Sequence, residues 1–371
     1  MSSSKQRLWI ISELFPPEET STAYIMGKIA DAFSHKYDVG VLCGPQIYDT
    51  SRKRISNQTS RPREYQIFHT KCHTFNKNSL TGKARSFLST TLSLYKLAKK
   101  HLKEGDKVLM VTNPAPLILL MSRLKKKRHL ELNILVHDVF PENTVAAGIR
   151  IPFYGFIKAL FDKAYSNADK LIVLGRDMAD LMVKKTKGRV DLHIIENWGD
   201  FENIKNLPMP DSNKIILQYA GNIGRVQGLD RIIKTLPDVI EFHIYGSGAM
   251  EDKLRGYNKP NVYFHGPYTR YQQSEILSKC HISLVTLNDK MYGLGTPSKT
   301  YNILASGRPI LYFGPQNSEI ELLIKDHNIG YTSWPKYWDI ETLHKMGKQA
   351  RLIGERFYSE KSILNKFSET I

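Results

Sequence analysis

The chain has 371 residues, 41% of them apolar and 24% charged, a composition that supplies core for two globular domains and excludes a disordered or fibrous protein. Its net charge of +17 favours an anionic partner, and residues 51–130 carry most of that excess, with 19 basic residues against three acidic. No apolar run reaches the roughly 18 residues of a spanning helix, no signal-peptide pattern is visible, and Cys43, Cys72 and Cys280 lack zinc or disulfide spacing. The sequence therefore predicts a soluble or peripheral protein of a reducing cytoplasm.

Strand-length apolar runs and helix-period segments alternate along the chain. Leu8–Ser12, Val39–Cys43, Gln66–Thr70, Lys107–Thr112, Leu132–His137, Lys170–Gly175 and Leu192–Ile195 read as buried strands, with helical patterns at Ala23–Ser34, Leu80–Leu102 and Phe153–Asn167. The polar stretch Asp200–Asn213, with Pro208 and Pro210, interrupts this order. It resumes with Lys214–Ala220, Glu241–Gly246, Asn261–His265, His281–Leu287, Pro309–Phe313 and Ile329–Thr332. Repeated β-then-α order predicts parallel sheets covered by helices, and the interruption predicts two of them: two α/β, Rossmann-like domains facing a cleft. Their expected limits are 1–205 and 206–349, and ligands should bind beyond the carboxyl ends of the strands.

Three glycine-bearing turns follow strands of the second half: Gly221-Asn-Ile-Gly-Arg-Val-Gln-Gly228, Tyr245-Gly-Ser-Gly248, and Gly293-Leu-Gly-Thr-Pro-Ser-Lys-Thr-Tyr301. Glycine lets backbone N–H groups approach a phosphate, while Arg225 and Lys299 supply charge. Each turn alone is equally an ordinary strand–helix connection. Together they point to one diphosphate-bearing ligand. His137 reads either as a packed strand-end histidine or as a cleft residue. Asp138 and Glu142 either position a hydroxyl or cap the next helix. Thr20 is open to the same two readings.

The ordered set resembles the GT-B glycosyltransferases of family 4, retaining enzymes that use nucleoside-diphosphate sugars. The segments that carry it are Phe15-Pro-Pro-Glu18, His137-Asp-Val-Phe-Pro-Glu142, Ile195-Glu-Asn-Trp-Gly-Asp200, the three turns above, His265-Gly-Pro267, Pro297-Ser-Lys-Thr-Tyr301 and Ala305-Ser-Gly-Arg-Pro309. It is nearest to surface-polysaccharide enzymes similar to N-acetyl-fucosaminyl transferases. The resemblance implies that Gly224, Arg225, Gln227, Ser298, Lys299 and Thr300 hold the donor diphosphate. It further implies that Gly246, Ser247, Gly248, Pro267 and Tyr268 line the nucleoside side, with Gly295, Thr296 and Asn302 beside the donor. His137 and Asp138 fall near the donor sugar, and Glu18, Thr20 and Glu142 on the acceptor side. It implies a UDP-class donor, transfer with retention, no metal or other cofactor, and a C-terminal helix, about 350–371, that crosses back to the first domain. Two positions depart from the family pattern. Leu294 and Asn302 stand where many members carry a Glu-x7-Glu pair, and Gln227 stands where many carry a lysine.

The basic region has three readings. The stripe through positions 80, 84, 87, 88, 91/92, 95, 98 and 102 fits a core-packed helix with a solvated face. The same stripe with Lys83, Arg85, Lys96, Lys99, Lys100, Lys103 and Arg123-Leu-Lys-Lys-Lys-Arg128 fits an anionic membrane surface over residues 80–128, suited to a lipid-pyrophosphate acceptor. Nucleic acid is disfavoured, since no RRM, KH, zinc-finger or helix-turn-helix pattern is present. A sugar-nucleotide epimerase and a non-catalytic GT-B subunit are the nearer alternatives to a transferase.

Overall fold

A computed structural model describes residues 5–45, 64–71 and 80–371. Cys72, the side chains of Leu80, Lys83 and Ala84, and the basic residues of 46–63 and 72–79 lie outside the described residues. The first domain is a seven-stranded parallel sheet of order β3-β2-β1-β4-β5-β6-β7. Its strands are β1 Arg7–Ser12, β2 Asp38–Cys43, β3 Gln66–His69, β4 Lys107–Val111, β5 Glu131–Val136, β6 Lys170–Val173 and β7 Asp191–Ile194. Its helices are α1 Ser21–Ser34, α2 Leu80–His101, α3 Pro116–Arg128, α4 Glu142–Ala146, α5 Tyr154–Tyr165 and α6 Arg176–Thr186.

The second sheet has six parallel strands, β8 Ile215–Ala220, β9 Ile240–Tyr245, β10 Val262–Gly266, β11 Ile282–Thr286, β12 Ile310–Phe313 and β13 Gly330–Tyr331, in the order β10-β9-β8-β11-β12-β13. Its connections carry α7 Leu229–Lys234, α8 Glu251–Arg255, α9 Gln273–Ser278, α10 Lys299–Ala305 and α11 Glu319–His327. The central strands β4, β5 and β11 are buried along almost their whole length, as strands covered on both faces must be. Edge strands β3, β7 and β10 are part-exposed, against the expectation of buried strands, because each has a neighbour on only one side.

The tail is two helices. α12 (Ile340–Phe357) stays on the second domain, burying Leu343, Met346 and Ala350, and packs against α10. The chain crosses at Tyr358–Ser359, where Gly199 N–H donates to the Tyr358 carbonyl (3.0 Å). α13 (Glu360–Thr370) then packs on α1 of the first domain, with Ile363 and Phe367 buried and the Ile371 carbonyl accepting from Tyr37 Oη (2.6 Å) and Lys107 Nζ (2.7 Å).

Polar contacts hold the two domains at their junction. Arg176 grips Glu319 with Nε and Nη2, each at 3.0 Å, a forked geometry that fixes orientation as well as distance. Arg308 is fully buried and donates to five carbonyls, those of Cys280, Leu207, Ser306, Pro208 and Ser278, tying the interdomain linker to the second sheet. Such a cation is tolerated only because its donors are matched by acceptors. Among the described residues no helix is long and apolar enough to cross a membrane.

Candidate functional site

The carboxyl ends of both sheets face a cleft of about 690 Å³. On its second-domain side the first two glycine turns are stitched to each other and to the end of β10: Gly221 N–H donates to the Tyr245 carbonyl (2.9 Å), Ile223 N–H to Ser247 (2.9 Å) and Gly246 N–H to Gly266 (2.7 Å). Two glycines are required by contact as well as by conformation. Gly246 has φ 130°, and a Cβ there would meet the Gly221 carbonyl oxygen at 1.9 Å. Gly221 has φ 147°, and a Cβ there would lie 2.7 Å from Lys299 Nζ.

That ammonium is the main electrostatic feature of the cleft. Lys299 lines it, with Nζ buried, no hydrogen-bond partner, and the Tyr219 ring 3.5 Å beneath it. Burial pushes its pKa down to about 7. The Tyr219 hydroxyl is fixed by donating to the Asn222 carbonyl at 2.6 Å, which holds the ring under the cation. Gln227 also lines the cleft, and its Oε1 is buried without a partner. A negatively charged oxygen completes Lys299 Nζ and a hydroxyl or N–H donor completes Gln227 Oε1; an apolar ligand does neither.

The first domain supplies side chains. His137 follows β5; its Nδ1 lies 3.5 Å from Thr22 Oγ1 and its Nε2 is buried and unpartnered. Burial lowers its pKa to about 4, so the imidazole is neutral at physiological pH. Burial also raises Asp138 to about 6, although the amides of Asn113 (3.5 Å) and Asn143 (2.7 Å) pull it down by donating to the carboxylate. The backbone here pairs across the domain junction, Asp138 with Gly295, and Val139 N–H donates to the Leu294 carbonyl at 3.0 Å. The two halves of the site are thus in register.

Of the expected residues, Thr20, His137, Asp138, Gln227, Gly246, Ser247, Pro267, Tyr268, Gly295, Thr296, Ser298, Lys299 and Asn302 line one cleft. Glu18, Glu142, Gly224, Arg225, Gly248 and Thr300 do not. Glu142 instead meets Lys185 Nζ at 2.6 Å in a buried ion cluster with Lys158 and Asp162, which binds α4 to α5 and α6. Glu19, not Glu18, is the glutamate on the cleft wall. Gly248 packs against the Ile223 carbonyl, and Thr300 is wholly buried beneath the site. Arg225 is exposed on the turn. Thr20 caps α1, accepting from Ala23 N–H at 3.2 Å. Asn302 is already engaged, accepting from Asp200 N–H and donating to Gln273 Oε1. Sequence reading missed Arg270, a cleft cation held by Asp200 (2.9 Å) and stacked on Tyr24 at 3.7 Å. It also missed Thr22 and Asn143, which carry no motif, and Asn222, which lies within the first glycine turn but was not singled out there.

Relatives with the same organisation are glycosyltransferases. The chain is 29% identical over 98% of its length to the probable glycosyltransferase WbjE of Pseudomonas aeruginosa, covering 97% of that protein. It is 30% identical over 38% of its length to the putative colanic acid biosynthesis glycosyl transferase WcaI of Escherichia coli, 39% of which is covered. Its fold matches sucrose-phosphate synthase of Thermosynechococcus elongatus with a TM-score of 0.73 at 11% identity, over 99% of this chain and 98% of the other. The chain has the GT-B fold and is similar along its whole length to a probable glycosyltransferase. A second GT-B match, HepE of Anabaena in complex with UDP, has a TM-score of 0.65 at 12% identity, covering 98% of this chain and 99% of the other. No family model matches the chain.

Proposed function

We propose that the protein transfers a sugar, with retention of configuration, from a UDP-class donor to a glycan or lipid-linked acceptor in surface-polysaccharide assembly. The observation that carries this reading is Lys299: a buried cation with no hydrogen-bond partner, beside Gly221 in a glycine turn whose φ of 147° disfavours a side chain. The UDP found in the HepE complex agrees with it. In this reading the diphosphate sits against Lys299 Nζ and the neighbouring backbone amides, which stabilise the charge that grows on the leaving group without a metal. The glycosidic bond to the diphosphate breaks as the acceptor oxygen attacks from the same face, and the acceptor's proton passes to the leaving phosphate oxygen. Neutral His137 offers a hydrogen bond to the donor sugar, and Asp138 orients it through its own amide-held carboxylate. Leu294 and Asn302 leave no Glu-x7-Glu pair, a loss this same-face mechanism tolerates because it uses no carboxylate nucleophile.

The protein is expected to act at the inner face of the membrane. The test is a thermal shift with UDP, GDP and dTDP, followed by transfer of labelled sugar to a lipid extract. UDP should raise the Tm most, because a ligand bound only by the folded state stabilises it. No shift with any nucleotide defeats the reading. Conversion of the donor without an acceptor points to the epimerase, and binding without turnover to a non-catalytic subunit.

A further inference from the structure

Helices α2, α3 and α5 lie side by side on one face of the seven-stranded sheet, α3 between the other two. The inward side of α2 is ordinary core, with Thr91, Leu94 and Ala98 buried. Its outward stripe, at helical spacing, is Arg85, Leu88, Leu92, Lys96 and Lys99, all exposed. Two leucines at 54% and 52% exposure sit within a run of cations that includes no acid. Across α3, with exposed Arg123, Lys126 and Lys127, the chain entering α5 exposes Ile149, Phe153 and Phe156.

Phe153 is the most telling of these. Its ring is 86% exposed and its backbone sits at φ 53°, a conformation that bulky L-residues avoid. Phe156, one turn along, is 68% exposed. Water rewards neither arrangement. Because these helices begin at the carboxyl ends of β3, β4 and β5, the apolar residues at the start of α5 lie towards the cleft, and the basic ends of α2 and α3 lie away from it. Within α2, α3 and the segment 142–161 the acidic residue is Glu142, whose carboxylate is taken by Lys185.

We propose that this face docks on an anionic lipid leaflet, with Ile149, Phe153 and Phe156 entering the interfacial layer and the cations of α2 and α3 resting on headgroups. An apolar edge flanked by unopposed positive charge fits a bilayer surface; a neutral or basic protein partner fits it poorly. The docking places the cleft mouth beside the lipid. It deepens the membrane location and lipid-linked acceptor of the proposed function, and it stands or falls without donor binding.

Vesicle flotation of the full chain tests it, using phosphatidylcholine with and without phosphatidylglycerol. Wild-type protein should float with the anionic vesicles and be released by salt. The pair Phe153→Asn and Phe156→Ser should lower partitioning by roughly tenfold or more, since each ring gains on the order of 1.5–3 kcal/mol on full burial. Asparagine at 153 tolerates the left-handed backbone, so the fold is preserved. Lys126→Glu with Lys127→Glu should cost about tenfold or more at low salt. The UDP-induced Tm shift should be unchanged in both pairs, which reports the fold and separates this proposal from the functional one. Equal flotation with neutral vesicles, or an unchanged phenylalanine variant, overturns the proposal. So does a dimer that the phenylalanine changes dissociate while vesicle binding persists.

Discussion

At the cleft the six-stranded domain contributes glycine turns, the buried Lys299 and the more exposed Arg270, whereas the seven-stranded domain contributes the side chains of His137, Asp138, Asn143 and Thr22. The second domain's turns are locked by hydrogen bonds between loops and by glycines that admit no Cβ, so they present a surface of fixed shape. The first domain's groups are set by burial, which drives His137 down and Asp138 up. One side offers a surface of fixed shape with a buried amine, and the other offers side chains whose charge states burial has shifted.

The sharpest way to break this contrast is Lys299→Met. Turnover should fall by about 10²-fold or more, as for loss of a preorganised donor to a developing anion, and the UDP-induced Tm shift should vanish. The Tm of the free protein should rise, because an unpaired buried amine is replaced by an apolar chain. A retained UDP shift would remove Lys299 from the diphosphate site. His137→Ala should lower turnover about 10²-fold while the UDP shift persists, since it acts on the sugar side. Glu142→Gln should also leave UDP binding intact but lower stability by about 1.5–3 kcal/mol through the Lys185 contact, read by denaturant unfolding.

pH separates the two sides further. Lys299 is free to lose its proton near 7, and a bound diphosphate raises its affinity for that proton. The complex therefore holds a proton that the free protein has lost above pH 7, so UDP affinity falls as pH rises through 7, by up to about tenfold per unit. Titration calorimetry at several pH values reads this directly. Asp138 acts at the other end: as pH falls through about 6 its carboxyl protonates, and turnover should drop while UDP affinity does not. Arg225→Ala should give the smallest loss, well below that of Lys299→Met, because its side chain is exposed and outside the cleft lining. An equal loss in both variants would show that the turn moves inward when donor binds.

The alternation of β and α runs, the Pro-containing break after Asp200 and the glycine turns made the two-sheet architecture and the second-domain wall of the cleft legible. They are local signals: a turn needing positive φ or close approach is written in the residues of that turn. Arg308 was legible only as part of Ala305-Ser-Gly-Arg-Pro309, and its role as a linker staple was not, because its five acceptors come from distant segments. The acceptor side was read less well. Glu18 and Glu142 were plausible by position in the chain, yet Glu142 is consumed by Lys185, and Glu19 reaches the cleft instead.

The sequence by itself determined the fold class, the order of the cleft-lining glycine turns and the identity of Lys299, since strand period, glycine and charge type are properties of short stretches. Only the tertiary structure decided which polar groups are left without partners. It placed Lys299 Nζ and His137 Nε2 in that state, paired Glu142 away, brought Arg270 to the cleft and left Phe153 in water. Burial and pairing depend on what packs against a group from elsewhere in the chain, and that sum of contacts sets the charge state and the work each residue does.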